Sequence, residues 1–140
     1  MPLRISHDTQ GVDWAEVCNV IRLAPLWSPD PVKFQRACAR SAAVAFAYEG
    51  ERLIGVGRGI SDGEYSAYVC DVAVLPEFQG KGVGTKIVQS LLDRLPVGTV
   101  MLFAAPGKEG FYEKFAFRRM KTAMARFADP QRMRERGLIE

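Results

Sequence analysis

The chain is poor in the residues that build metal centres and disulfide frameworks. It has one histidine, His7, and three cysteines, Cys18, Cys38 and Cys70, far apart and odd in number. No C-x-x-C pair occurs, so neither a zinc site nor a disulfide framework is expected, and no metal is assigned. All three thiols sit among apolar residues and read as core side chains rather than nucleophiles. Long apolar runs are missing too: none approaches the roughly 20 residues of a membrane span. The opening residues, MPLRISHDTQ, lack the charged-then-apolar form of a signal peptide, so a cytoplasmic location and no membrane partner are expected. Charge of one sign is not concentrated. Lys and Arg number 19 against 16 Asp and Glu, a net +3. Apart from a denser group near the C-terminus the basic residues are spread out, with no stripe interleaved with aromatics, and nucleic acid is not an expected partner. Internal repeats and low-complexity linkers are absent. At 140 residues a single domain with its own core is the expectation, residues 1–140.

Two nucleotide-binding templates are missing as well. The pattern G-x-x-x-x-G-K-[ST] has no match. The dinucleotide fingerprint G-x-G-x-x-G fails at Gly80 and Gly82 because position 85 is Thr, and at Gly55, Gly57 and Gly59 because position 60 is Ile. The latter triplet lies inside a strand pattern, where glycines mark bulges or close packing.

What is present is organised around Tyr68 to Leu95. An apolar, β-favouring run from Tyr68 to Leu75 is followed by a Pro-initiated, Gly-punctuated turn. A helical pattern then begins: Gly84, Ile87, Val88, Leu91, Leu92 and Leu95 fall on one face. Strand, glycine turn and helix together present unpaired backbone N–H groups at a helix N-terminus, a setting that binds anions. Glycine permits positive φ and removes the Cβ that would hold a phosphate off. The amides of residues 80 to 85 can then converge on a diphosphate. The alternative is a tight connection without a ligand; three alternating glycines, the preceding Gln79 and the adjacent Lys81 favour the anion.

Elsewhere, Leu3 to Ser6 alternates as a short strand. Asp13 and Glu16 have capping-box spacing before a helix that ends near Ala24, ahead of Pro25. Asp30-Pro31 opens a second helix to about Ala39. Three strands follow, Ala42–Tyr48, Leu53–Ile60 and Tyr65–Val74, separated by turns, giving an antiparallel meander. After the glycine-turn helix, Val100–Ala104 is expected as a parallel strand reached by a right-handed crossover. Gly110–Phe115 reads as a short helix, Phe117–Met120 and Thr122–Phe127 as terminal strands, and Asp129-Pro130 as the cap of a last helical turn.

The run Asp71-Val-Ala-Val-Leu-Pro-Glu-Phe-Gln-Gly-Lys-Gly-Val-Gly84 resembles motif A of the GNAT superfamily of acetyl-CoA-dependent N-acetyltransferases, [QR]-x-x-G-x-[GA] after a strand ending in V-x-P. Gly110-Phe-Tyr-Glu-Lys-Phe-Ala-Phe117 is similar to that family's FYEKLGF segment, with Ala116 where glycine is usual. Leu53 to Gly63 resembles the G-x-x-R-x-x-[SG]-D-G segment of small bacterial members and of plant chloroplast members that acetylate arylalkylamines. The resemblance runs from about Ala42 to Phe127. It implies an α+β fold, an α/β/α sandwich, whose central twisted sheet is mixed but mostly antiparallel, with six to seven strands and about four helices.

It also implies a function: acetyl transfer from acetyl-CoA (coenzyme A) to a small-molecule primary amine, by direct attack in a ternary complex. The cofactor-binding residues it implies are Val72, Ala73 and Val74 along the strand and Gln79, Gly80, Lys81, Gly82, Val83, Gly84 and Thr85 in the turn. Tyr112 stands where the family's usual acid for the departing thiolate stands. Its other reading is a half-buried helix tyrosine. Some members carry a glutamate on the motif-A strand, but this chain has Tyr68 there. Asp71 is the only acid in that strand. It is read either as a structural partner of nearby backbone or Arg58, or as orienting the amine or a proton-carrying water. Asp62, Glu64 and Glu113 are weaker candidates, and a water chain with no dedicated base is also open. Trp27, Arg58 and Tyr68 are the expected substrate-binding residues. A homodimer is left open. The competing expectation is a non-catalytic acyl-CoA-binding sensor or interaction module.

Overall fold

The computed structural model describes residues 2–140. They divide into two compact units, one running through Leu102 and the other from Phe103 to Glu140.

The first unit is built on one five-stranded sheet whose spatial order follows the chain: β1 (Leu3–Ser6), β2 (Ala43–Glu49), β3 (Arg52–Ser61), β4 (Ser66–Val74) and β5 (Thr99–Met101). The first four pair antiparallel, and β5 joins β4 in parallel, as a strand–helix–strand crossover requires. Two helices precede β2. In α1 (Trp14–Leu23) Asp13 caps the Glu16 amide. Glu16 does not complete the capping box: it accepts from the Leu53 amide at 3.1 Å and ties α1 to β3. In α2 (Pro31–Ala39) Asp30 caps the Lys33 amide and Pro31 fills the first turn. The crossover helix is α3 (Val83–Asp93), which follows a single 3₁₀ turn at Pro76–Phe78.

The core fills both sides of the sheet. All five residues from Ala43 to Ala47 are buried, the pattern of a strand covered on both faces. α3 buries Val83, Ile87, Val88 and Leu91, and Leu95 just beyond it is buried too. It reaches the sheet because β3 presents Gly55, Gly57 and Gly59 to it. A Cβ on these would lie 2.7 Å from Ile87 Cδ1, 2.8 Å from Ile87 Cγ2 and 2.6 Å from Leu95 Cδ1, distances that real Cβ atoms do not adopt. The triplet is a packing device.

In β4 the ladder takes an extra residue. Val56 pairs with Ala73 and Arg58 with Cys70, two steps on β3 against three on β4, and Asp71 sits in the left-handed region at φ 59°. Strict alternation would put Val69, Asp71 and Ala73 on one face. The bulge splits them. Val69 pairs with Gly59 on the α3 side, whereas Ala73 pairs with Val56 on the α1/α2 side, the side of Arg58.

The second unit holds α4 (Glu109–Glu113) and α5 (Pro130–Glu135). Phe111, Tyr112, Phe115 and Phe117 form a chain of edge-on ring contacts, and Phe103 meets Phe127 in the same way at 5.8 Å. Ala116 follows α4 at φ 68°, the left-handed position where glycine carries no Cβ penalty.

The sheet and helix counts differ from the expectation. Among the described residues there are five strands, not six or seven, and five α-helices, not about four. The missing strands are Phe117–Met120 and Thr122–Phe127, which form no ladder. Only Lys121 separates them, too short a link for a hairpin. Their apolar side chains do not share a buried face either: Met120 and Met124 are 56% and 96% exposed. The expected strand Val100–Ala104 is realised as Thr99–Met101, because pairing with β4 ends at Tyr68↔Met101. No helix among the described residues is long and apolar enough to cross a membrane.

Candidate active site

The bulge in β4 places a carboxylate where a regular strand would not. Asp71 faces the α1/α2 side, and both its oxygens are taken. Arg58 Nε donates to Oδ2 at 2.7 Å, and Trp27 Nε1 donates to Oδ1 at 2.8 Å. Arg58 also donates to Ser41 Oγ at 3.3 Å, and its guanidinium lies 5.6 Å from the Phe34 ring centre. The side chains of Arg58 and Asp71 are 16% and 9% exposed, so this pair is largely removed from water. Each charge depends on the other, because a lone ion there would have no compensation.

The neighbouring groups are held neutral. Burial pushes the Cys38 thiol up to about 11, the Cys70 thiol up to about 12 and the Tyr68 phenol up to about 12. Neither thiol is a nucleophile near neutral pH; Cys38 is a core residue as expected, whereas Cys70 is only partly buried. Tyr68 is not a base there either.

The structure therefore joins Trp27, Arg58 and Asp71 into one hydrogen-bonded group. Tyr68 shares their side of the sheet, since it pairs with Ile60, two residues from Arg58. Of the two readings of Asp71, the bond to Arg58 is present. Ser41 and Phe34 were missed from the sequence. A serine at a helix end and a phenylalanine at a core position carry no functional signal of their own.

A second feature lies on the other side of β4. Its pairing with β5 covers only Ser66 to Tyr68, so β4 continues from Val69 to Val74 without a β5 partner. Val72, Ala73 and Val74 are the last residues of this unpaired edge. The chain then passes Pro76 and enters the glycine turn. Gly80 and Gly82 have φ of 76° and 85°, and a Cβ built on either would meet nothing within 4 Å. Gly82 is the N-cap of α3 and offers no side chain to cap it. The first ladder bond is Lys86 N–H to Gly82 C=O at 3.1 Å, so the amides of Val83 and Gly84 stand ahead of the ladder. Open space around Gly80 and Gly82, with unladdered amides at the positive end of an eleven-residue helix, is a setting that can receive an anion.

Gln79 has a different place. Its amide donates to Val74 C=O at 2.9 Å and to Ala24 C=O at 3.0 Å, tying the turn to the end of β4 and to the end of α1. Lys81 is exposed and lies 5.7 Å from the Phe78 ring centre. Thr85 is in the first turn of α3.

Tyr112 belongs to the second unit, in α4. Its ring meets Phe111 at 4.9 Å and Phe117 at 5.9 Å, and burial raises its phenol pKa. Asp62 is exposed and caps its own hairpin, accepting from the Glu64, Tyr65 and Ser66 amides. Glu64 lies exposed in the same turn, and Glu113 is the exposed last residue of α4.

Residues 12–117 match the sequence profile of the family described as Acetyltransferase (GNAT) family. The uncharacterised N-acetyltransferase ycf52 of Pyropia yezoensis is 28% identical over 99 residues, 65% of this chain and 57% of that one. The chain thus spans little more than half the length of that relative. GCN5-related N-acetyltransferase 2, chloroplastic, of Arabidopsis thaliana is 39% identical over 71 residues, 48% of this chain and 27% of its own. In fold, a GNAT-family acetyltransferase of Streptococcus pneumoniae superposes with a TM-score of 0.77 at 23% identity, covering 90% of this chain and 98% of that one. Glucosamine-6-phosphate N-acetyltransferase of Arabidopsis thaliana superposes at 0.69 and 17% identity, over 92% and 100%.

Proposed function

The chain belongs to the GNAT family of acetyltransferases, and from that premise we propose that it moves an acetyl group from acetyl-CoA to a primary amine, by direct attack in a ternary complex. The observation that carries the proposal is the cradle at the start of α3 beside the unpaired edge of β4. Its open, positive-φ glycines and unladdered amides fit a diphosphate, and an unpaired strand edge fits an amide-bearing arm. We assign residues 79 to 85 to the diphosphate and Val72, Ala73 and Val74 to the pantetheine. Gln79 acts there by fixing the turn, since its amide is already committed.

Bound acetyl-CoA supplies a thioester-activated acetyl group. The chain supplies the rest. A main-chain N–H near Val72 holds the carbonyl oxygen as it gains charge. Tyr112 gives its proton to the departing thiolate, as a phenol that is protonated at neutral pH can. Asp71 is a positioning residue: with both oxygens occupied it fixes Arg58, Trp27 and the bulged backbone. The proton of the attacking amine leaves through water, as no unengaged carboxylate lies on β4. Modest, dispersed charge favours a small-molecule amine over nucleic acid as the partner.

The proposal is tested by thiol release from acetyl-CoA across a broad amine panel, with wild type and Tyr112→Phe. The expected result is turnover by wild type and a kcat about 100-fold lower in the variant, with the KM for acetyl-CoA little changed. Binding of acetyl-CoA without thiol release on any amine would overturn it.

A further inference from the structure

β4 is least supported where the proposed chemistry needs it most fixed. Beyond Tyr68 it has no β5 partner, and on the β3 side the register pairs Cys70 and Ala73 but passes over Asp71 and Val72. Asp71 holds φ 59°, a conformation that residues with a Cβ seldom adopt. Its backbone torsions set the direction of the peptide that carries the Val72 N–H. A stretch with few ladder bonds opens locally at low free energy. An N–H that is to receive developing charge must instead be in place beforehand.

Two side chains reach this stretch from outside the sheet. Trp27 Nε1 donates to Asp71 Oδ1 at 2.8 Å, and the Gln79 amide donates to Val74 C=O at 2.9 Å. Both lead to one short segment, Ala24 to Trp27. Trp27 ends it, and the Gln79 amide also donates to Ala24 C=O, where it begins, at 3.0 Å. The segment is itself anchored. Leu26 N–H donates to Ile21 C=O of α1 at 2.9 Å, Leu26 packs against the core, and the Trp27 ring meets Phe34 of α2 edge-on at 6.5 Å. α1 is held in turn to β3 by the bond from the Leu53 amide to Glu16. Val72 and Ala73 therefore lie between two points of attachment to one anchored segment.

We infer that Ala24–Trp27 is a brace that stands in for the missing β5 rungs, and that Trp27 and Gln79 are positioning residues. Trp27 acts through Asp71 on the direction of the Val72 N–H, and Gln79 fixes the far end of the same stretch at Val74. The inference rests on the acetyl-transfer reading above for what the Val72 amide does. It gives Trp27 a task other than stacking on the amine. Arg58 does not fix Asp71 by itself: its Nε holds Oδ2 only, and the carboxylate can pivot on that bond. The indole N–H on Oδ1 removes the pivot.

The experiment compares wild type with Trp27→Phe, which keeps a ring for Phe34 and loses the N–H, and with Gln79→Met, which keeps the length and loses the donor. Backbone amide exchange, followed by mass spectrometry, needs no substrate. Peptides covering residues 70–75 should exchange about tenfold faster in either variant, with β2 unchanged. Gln79→Arg keeps side-chain donors and should return exchange toward the wild-type rate. In steady state, with the amine that wild type turns over best, Trp27→Phe should lose about tenfold in kcat, with KM for the amine and for acetyl-CoA held within about twofold. The double variant should fall by less than the product of the two single losses, since releasing one end already frees the brace. Unchanged exchange in the folded variants, or losses that multiply, overturns the inference. An amine KM that rises while kcat holds returns Trp27 to stacking on the substrate and overturns it too. Faster exchange in the variants, with no turnover by wild type on any amine, overturns acetyl transfer and leaves the brace standing. Should one variant fail to fold, the other decides alone by exchange and by kcat.

Discussion

The two faces of β3 and β4 solve opposite problems with the same strands. Towards α3, β3 carries Gly55, Gly57 and Gly59, and the contacts are made by Ile87, Leu91 and Leu95. Nothing on that face is charged, and position is set by how closely a helix can approach. Towards α1 and α2, the intervening residue of β3 is Arg58, and β4 answers it with Asp71. Position there is set by charge-assisted bonds with fixed directions. The packed face holds α3, whose first turn carries the unladdered amides assigned to the diphosphate. The polar face holds the bulge in β4. A substitution on one face should therefore read out differently from one on the other.

The largest effect is expected on the polar face. Asp71→Ala leaves Arg58 buried without its partner and should cost about 3–5 kcal/mol in urea unfolding. A loss under about 1 kcal/mol would mean that the pair does not hold the bulge. Next comes Gly82→Glu at the start of α3. It should lower acetyl-CoA affinity on the order of 100-fold in calorimetry, by placing a carboxylate among the amides assigned to the diphosphate. Its Cβ would meet nothing within 4 Å, but Gly82 holds φ 85°, so the variant is strained and its fold is checked by circular dichroism before binding is read. Normal binding by the folded variant would move the cradle elsewhere. Gly57→Ala tests the packed face: its Cβ would meet Ile87 and Leu91 at 2.8 and 3.0 Å and should cost about 1–3 kcal/mol. An unchanged stability would show that α3 has slack to shift.

A further effect is in pH. Cys38 and Cys70 have pKa values raised from 9.0 to about 11 and about 12, burial being the main cause. Thiols in the unfolded chain ionise first. The stability these groups contribute is present in full below about pH 9 and is lost as pH rises toward 11 and 12. Urea midpoints at pH 8 and pH 10.5 should differ accordingly, and Cys38→Ala should narrow the gap.

Much of the architecture was legible because its signals are local. Asp13 and Asp30-Pro31 mark helix starts through bonds to amides three residues on. The glycine turn and the helix after it were readable in the same way, and Gly82 does take the left-handed form expected of it. What escaped was what depends on a partner. Phe117–Met120 and Thr122–Phe127 alternate well enough to pass for strands, but a strand exists only against another. The second half of the capping box failed for the same reason: Glu16 found the Leu53 amide, 37 positions away, instead of its own helix. The bulge left no mark either, since neither Cys70 nor Asp71 is a residue that announces a break in alternation.

The sequence by itself determined the helix starts, the first five strands, the glycine turn and the family, because turn chemistry, helix periodicity and motif spacing act over a few residues. Only the tertiary structure decided that Asp71 is bound on both oxygens and that Trp27 and Ser41 reach the same ion pair. Those facts rest on register, and one inserted residue in β4 resets which side chains share a face.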